Sequence, residues 1–361
     1  MPKQEIRLCT TPDHVRIAYA MSGNGPPLVK AANWLSHVEY DWESPVWNHL
    51  LTELSREHTL IRYDARGCGL SDRNPPGLSM RGWELDLETV VEAATPLSFP
   101  LIGISQGAAL AVAYAVAHPH RVSRLVLSGG FARGRMKRQP DARQREEAEL
   151  MIRMAELGWS RDNPAFRQFF TSQFIPGGSI EQQQWFNELL RISIDPAMAA
   201  QFLRVSNDID VMDLLPLVQC PTLVLHAKDD ARVPFDEGRL IASRIPNARF
   251  VPLESENHLL LEHEPAWRRW VQEIRTFLRS DEVGRPNRFA ALTRRERDIL
   301  ALMCTGRDNA QIAASLNVSE KTVRNHNTSI YTKLQVENRA QATALATRSS
   351  ARTPMQERSA A

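Results

Sequence analysis

The chain is poor in cysteine, with four in 361 residues, at Cys9, Cys68, Cys220 and Cys304, and no paired spacing among them. That excludes a disulfide framework and a clustered thiolate site, and leaves core thiols in a reducing compartment as the expectation. Met1-Pro2-Lys3-Gln4-Glu5 leads into no apolar region, so no secretory signal is read and a cytoplasmic location is expected. The one long apolar stretch, FPLIGISQGAALAVAYAVA (99–117), is broken by Pro100, Gly103, Ser105, Gln106 and Gly107. It therefore reads as strand, turn and buried helix rather than as a membrane span. The glycines of RGCG (66–69) match neither G-x-x-x-x-G-K-[ST] nor G-x-G-x-x-G, which argues against nucleotide binding. The H-x-x-x-E-H run at 258–263 fits neither H-E-x-x-H nor H-x-x-E-H. No metal or cofactor is expected.

Net charge is also scarce, at +2, but it is unevenly spread. Residues 1–284 carry 31 Lys and Arg against 36 Asp and Glu, and residues 285–361 carry 13 against 6. A mildly acidic body with a basic tail points to a polyanion partner for the tail alone. The length exceeds what one core usually holds, so two domains are expected. In the body, apolar strand candidates alternate with helical stretches: IRLCTT (6–11) and VRIAYAMSG (15–23) around Pro12-Asp13, then LVKAANW (28–34), TLIRYDARGCGLSD (59–72), RLVLSGG (124–130), PTLVLHAKDDARVP (221–234) and RFVPLESENHLLLEHEP (249–265). This rhythm predicts an α/β fold with a largely parallel sheet covered on both faces. Residues 131 to about 215 depart from it, being helical and rich in Met, Phe and Trp, and are expected to form a lid. Taken singly, such helix-spaced aromatics are expected to pack the lid onto the body, and together they hint at a hydrophobic ligand, an acyl, aromatic or lactone compound.

Gly103-Ile104-Ser105-Gln106-Gly107 has the form of a nucleophile elbow, G-x-S-x-G. A serine at the tip of a strand-to-helix turn has a strained backbone, and the chain two residues to either side runs too close for side chains. A serine hydroxyl needs a base and an orienting acid to become a nucleophile. Asp230 and His258 follow later strands in the order Ser, Asp, His. On YDARGCGLSD (63–72), GISQG (103–107), AKDDARVP (227–234) and NHLLLEHEP (257–265), residues 1–280 resemble an α/β-hydrolase-fold domain with a lid. The resemblance assigns Ser105 as nucleophile, His258 as base and Asp230, four residues before Pro234, as acid, with Asp229 as the fallback. Where that family usually has His-Gly this chain has Ala32-Asn33, so the oxyanion N–H groups are expected from Gln106 and from Asn33 or Trp34.

Beyond SDEVGRPN (280–287), which reads as a linker, the tail has its own pattern. Thr293 and Glu296 form a capping-box pair ahead of Ile299, Leu300 and Met303. Gly306 ends that helix, and Ile312, Ala313 and Leu316 mark a second. Asn317 suits a left-handed turn, Ser319 caps a third helix, and a fourth follows Asn338. Two short helices across a tight turn, the latter basic, make a helix-turn-helix. With L-T-x-R-E, N-x-x-I-A, S-E-K-T-V and N-R-A-Q in place, residues 288–348 resemble a LuxR/FixJ-type DNA-binding domain. The resemblance implies that the third helix enters the major groove, with Lys321, Thr322, Arg324, Asn325 and Thr328 on the DNA, and that the fourth helix dimerises. Two positions depart from the pattern: Asn327 stands at an inward, usually apolar place, and Gln335 replaces a glycine. Residues 349–361 lack apolar periodicity and are expected to be disordered.

The combination predicts a DNA-binding transcriptional regulator, a homodimer on double-stranded operator DNA, whose hydrolase-fold domain binds a small, hydrophobic molecule and has the residues to hydrolyse it. The alternative is a serine esterase or lactonase with an accessory DNA-binding tail. No membrane partner is expected.

Overall fold

The computed structural model describes residues 3–95, 98–279, 292–316, 318–334 and 336–350. The chain divides into two compact units, residues 1–280 and 281–361. The expected linker at 281–287 and the positions Asn317 and Gln335 lie outside the described residues, as does the tail from 351 onward.

The first unit is built on one sheet of eight strands: β1 (Gln4–Thr10), β2 (Arg16–Ser22), β3 (Pro27–Lys30), β4 (Thr59–Tyr63), β5 (Phe99–Ile104), β6 (Val122–Ser128), β7 (Thr222–Ala227) and β8 (Arg249–Leu253). The spatial order is β1-β2-β4-β3-β5-β6-β7-β8. The pairs β1·β2 and β2·β4 are antiparallel and every later pair is parallel. The Pro12-Asp13 turn makes the first pair a hairpin, placing Ile6 opposite Ala20 and Cys9 opposite Ile17. All of β7 is buried, as a strand covered on both faces must be. Edge strand β1 is mostly exposed.

Among the described residues nine α-helices accompany this sheet: α1 (Asn48–Leu54), α2 (Met80–Ala94), α3 (Gly107–Ala117), α4 (Ala142–Gly158), α5 (Ala165–Phe174), α6 (Ile180–Ser193), α7 (Pro196–Asp208), α8 (Phe235–Arg244) and α9 (Pro265–Arg279). The all-apolar sequence of α3 fits its place, buried over nearly its whole length. Helices α4 to α7 form the lid. Capping boxes at Asp141/Gln144 and Ser179/Gln182 start α4 and α6, and Pro196 opens α7.

The lid is tied down by an aromatic cluster and a polar clasp. Phe202 lies 5.0 Å from Trp34 and 4.4 Å from Trp83 between ring centroids, and Trp159 packs edge-on to Trp34 at 5.6 Å. At the end of α6, Ser193 O accepts the Gly69 N–H at 2.8 Å, and Arg73 donates to Ile192 O at 2.8 Å and to Ser193 O. The YDARGCGLSD segment is thus a structural anchor. Gly69, at φ 53°, cannot carry a side chain because a Cβ would fall 2.0 Å from Asp64 Oδ2. The Asp64 carboxylate in turn accepts the Val38 and Leu70 N–H groups.

The core-thiol expectation holds for Cys68 only. Cys9 and Cys220 are half-buried and Cys304 is exposed, because they fall on an edge strand, ahead of a strand and at a helix end.

The second unit contains α10 (Arg294–Cys304), α11 (Asn309–Leu316), α12 (Glu320–Leu334) and α13 (Arg339–Ser350). Ile299, Met303, Ile312, Val323, Ile330, Leu334 and Ala342 make its core. The Thr293/Glu296 capping box is formed, Gly306 takes φ 83°, and Ser319 Oγ accepts the Thr322 N–H. Helix α13 runs on to Ser350, two residues past the expected domain end.

Candidate functional site

Strand β5 ends at Ile104 and α3 begins at Gly107, which leaves Ser105 and Gln106 to turn the chain. Ser105 sits at φ 55°, in the left-handed region, a conformation that costs a non-glycine residue on the order of 1–2 kcal/mol. The turn is held by its N–H on Ser128 O and by the Ala108 N–H on its own carbonyl, both at 3.0 Å. Both flanking glycines are required. A Cβ on Gly103 would meet Gly107 O at 2.5 Å, and one on Gly107 would meet Ala32 O at 2.7 Å. Gln106 N-caps α3, so its N–H stands at the positive end of the helix.

Asp230 and His258, on loops after β7 and β8, meet with His258 Nδ1 2.8 Å from Asp230 Oδ2 and neither side chain exposed. The second carboxylate oxygen accepts the Arg232 and Val233 N–H groups at 2.8 and 2.9 Å. Burial opposes the charge on Asp230, but His258 and the Val233 N–H outweigh it and hold the carboxyl below its ordinary value. Asp229 is exposed. With Nδ1–H donating to Asp230, His258 Nε2 is an acceptor. It is buried and has no hydrogen-bond partner among the described residues.

Three features here escaped the sequence reading. Gly129 and Gly130, after β6, make room between elbow and histidine: a Cβ on Gly130 would lie 2.3 Å from Ala108 Cβ, and one on Gly129 would lie 3.3 Å from His258 Cε1. Buried His226 donates from Nε2 to Val233 O at 3.0 Å and lies 3.5 Å from Asp230 Oδ2, bracing the acid loop. Burial pushes its pKa down. Lastly, Arg135, Arg138 and Arg232 converge on the cleft described next. The Gly-Gly pair was visible in RLVLSGG, whereas nothing local marks the arginines.

Ser105 opens into a cleft of about 460 Å³, its open mouth included, walled on the apolar side by Trp34, Phe131, Phe174 and Leu203. Phe174 also packs edge-on to His258, with centroids 5.4 Å apart. Of the large lid residues, Trp159, Phe170, Phe186 and Phe202 are core, and Phe174 is the aromatic that reaches the cleft. Gln106 and Trp34 line it beside Ser105, while Asn33 does not. The Asn33 amide is instead engaged in the body, with Oδ1 accepting from Lys30 Nζ and Nδ2 donating to Trp34 O at 3.2 Å.

On α12, Val323, Asn327, Ile330 and Leu334 face inward. Lys321, Arg324, Asn325 and Thr328 are exposed on the opposite side. Thr322 is half-buried, its hydroxyl 2.8 Å from that of Ser319. Asn327 donates to Asn309 Oδ1 at 3.0 Å while its own Oδ1 has no partner among the described residues. Glu296 ties α10 to α12, accepting from Lys333 Nζ at 2.7 Å and Ser329 Oγ at 2.6 Å. No helix among the described residues is long and apolar enough to cross a membrane.

Comparison with known proteins agrees with both geometries. A family model described as alpha/beta hydrolase fold matches residues 36–265. One described as bacterial regulatory proteins, luxR family, matches residues 290–346. Pyrrolizixenacetamide deacetylase of Xenorhabdus hominickii is 27% identical over 275 residues, covering 74% of this chain and 96% of that protein. The solved structure of the esterase RhEst1 from Rhodococcus sp. ECU1013 superposes with a TM-score of 0.63 at 26% identity, covering 76% of this chain and 98% of that one. The tail is similar to an uncharacterized transcriptional regulatory protein, YhcZ, of Bacillus subtilis, at 36% identity over 72 residues, which is 20% of this chain and 34% of that protein. With a serine elbow and an Asp-His pair under a helical lid at one end and a four-helix reading head at the other, the chain belongs to the α/β-hydrolase-fold family and carries a C-terminal LuxR-family regulatory domain.

Proposed function

We propose that this protein is a cytoplasmic transcriptional regulator that binds a small acyl compound in the Ser105 cleft and reports its occupancy through operator DNA. The observation that carries this reading is that one chain joins a LuxR-family domain to a first unit with a cleft at Ser105 and a formed Asp230–His258 pair. In the reaction we propose, His258 Nε2 takes the Ser105 proton as Oγ attacks the carbonyl carbon. The Gln106 and Trp34 N–H groups receive the oxyanion. Collapse expels the alcohol or amine with the proton from His258, and water then releases the acid from Ser105. Asp230 holds the imidazole tautomer throughout and stabilises the imidazolium. The formed Asp230–His258 pair favours slow turnover that resets the sensor. The similarity to a deacetylase over most of the first unit supports acyl chemistry.

At the other end, Arg324 and Asn325 are the side chains suited to guanine and adenine edges, and Lys321 and Thr328 suit phosphates. Thr322, committed to the Ser319 cap, serves by its position, and α13 supplies the dimer contact. Regulation requires that the ligand favour one state of the first unit over another. The test is operator binding by wild type and Ser105→Ala against a panel of esters, lactones and amides, with ligand mass followed throughout. Ligand-dependent binding in the wild type with cleavage lost in Ser105→Ala is the expected result. A panel that is cleaved without any change in DNA affinity would leave an esterase with a passive tail.

A further inference from the structure

The lining of the cleft is also strongly cationic, with Arg138 stacked on Phe131 and Arg232 on Phe174. Arg135 and Arg138 come from the turn after β6, Arg232 from the loop that carries Asp230, and Ser206 and Asn207 from α7. No carboxylate lines the cleft among the described residues. Among the described residues the cluster has one ion-pair partner, Glu237, which is 2.7 Å from neighbouring Arg133 and 3.7 Å from Arg138. Arg232 rests on neutral groups, donating to Gln173 Oε1 at 2.9 Å with its guanidinium carbon 5.4 Å from the Phe174 ring centroid. The Arg135 guanidinium has neither hydrogen bond nor ion pair among the described residues. Ser206 Oγ and Gln106 Oε1 are buried at the same cleft without partners.

Arg138 also donates to Arg133 O at 2.6 Å, which leaves Arg135 as the half-buried guanidinium held at a cost that an incoming anion removes. Burial pulls the pKa of all three arginines down, and for Arg232 the charges of Arg135 and Arg138 add to it. In a body whose overall charge is mildly acidic, this concentration of positive charge is local to the cleft. A planar guanidinium is also the group best matched to a carboxylate, which it can bind through two parallel hydrogen bonds.

We infer that the cleft selects a ligand bearing a free carboxylate, held by Arg135, Arg138 and Arg232, with its cleavable carbonyl over Ser105. This rests on the proposed acyl-binding role of the cleft and names the ligand class: half-esters or lactones of dicarboxylic acids rather than neutral acyl compounds.

The test compares monoethyl adipate with ethyl hexanoate, two ethyl esters of equal acyl length that differ in the terminal carboxylate. In the full-length protein, kcat/KM is expected to favour the half-ester by about tenfold or more. The ratio should fall towards one in Arg135→Gln and Arg138→Gln and be partly kept in Arg135→Lys, with unchanged far-UV circular dichroism as the folding check. A wild type that prefers the neutral ester, or variants that leave the ratio intact, would overturn the inference. If neither ester is cleaved, the hydrolytic reading fails by itself, and calorimetric titration of Ser105→Ala protein with adipate decides the present one. Saturable binding weakened about tenfold or more by Arg135→Gln upholds it, and no binding overturns it.

Discussion

Ser105 stands in a conformation that side chains avoid, and its neighbours are chosen by the space that this conformation leaves. Replacing Gly130 by alanine puts a Cβ 2.3 Å from Ala108 Cβ, so the first unit should lose about 1–3 kcal/mol. All eight tryptophans lie between Trp34 and Trp270, so their fluorescence during urea unfolding reads that loss directly. Ser105→Ala and Asp230→Asn act differently. Each leaves the packing intact and should lower kcat/KM on a cleaved ester by about a thousandfold or more, since each removes one member of a unit that works together. A loss of only a few-fold, measured under single-turnover conditions, would mean that some other group performs the attack.

Among the elements, the contact most exposed to test is the Glu296 bridge between α10 and α12. Burial opposes the charge on this carboxylate, but Lys333, Ser329 and the Thr293 N–H and hydroxyl outweigh it and hold it down at about 2. Because the folded value lies below the ordinary 4.5, the stabilisation is complete above about pH 4.5 and is lost as pH falls towards 2. Glu296→Gln should therefore cost the second unit about 2 kcal/mol at pH 7 and nothing near pH 2. The shift should be visible in far-UV circular dichroism and absent from tryptophan emission, since no tryptophan lies beyond residue 270.

The two halves of the chain differ in how much could be read without a structure. The elbow and the turn ahead of α12 announce themselves through particular residues at short fixed spacings, and Asp230 and His258 through their order after later strands and the family resemblance. The arginine wall does not. Arg135 and Arg232 are far apart in sequence and are brought together only when the β6 and β7 loops share one sheet edge. The count of an acidic body averages their charge away. The same holds for the choice between neighbours Asn33 and Trp34, of which only Trp34 lines the cleft. The lid's aromatics, by contrast, proved to be mostly core, which is the ordinary fate of helix-spaced rings.

Taken whole, the molecule concentrates its positive charge in two places, the ligand cleft and the terminal 77 residues, where 13 basic groups face 6 acidic ones. Affinity for DNA should consequently fall steeply with salt. Lys321→Ala should lower binding to all sequences alike and reduce the slope of log affinity against log salt by about one. Arg324→Ala should instead cost about 1–3 kcal/mol on the operator and relax its base preference. Filter binding across a salt series separates the two, and an equal slope change for both would place Arg324 on the backbone rather than on a base.

One asymmetry inside the first unit bears on how such a chain would change over generations. The elbow glycines are demanded by packing whether or not anything is cut. The open nitrogen of His258 is demanded by nothing except the chemistry. In a lineage that kept recognition and gave up cleavage, drift would erase that histidine first and the glycines last, so position 258 is where the history of this chain would be written.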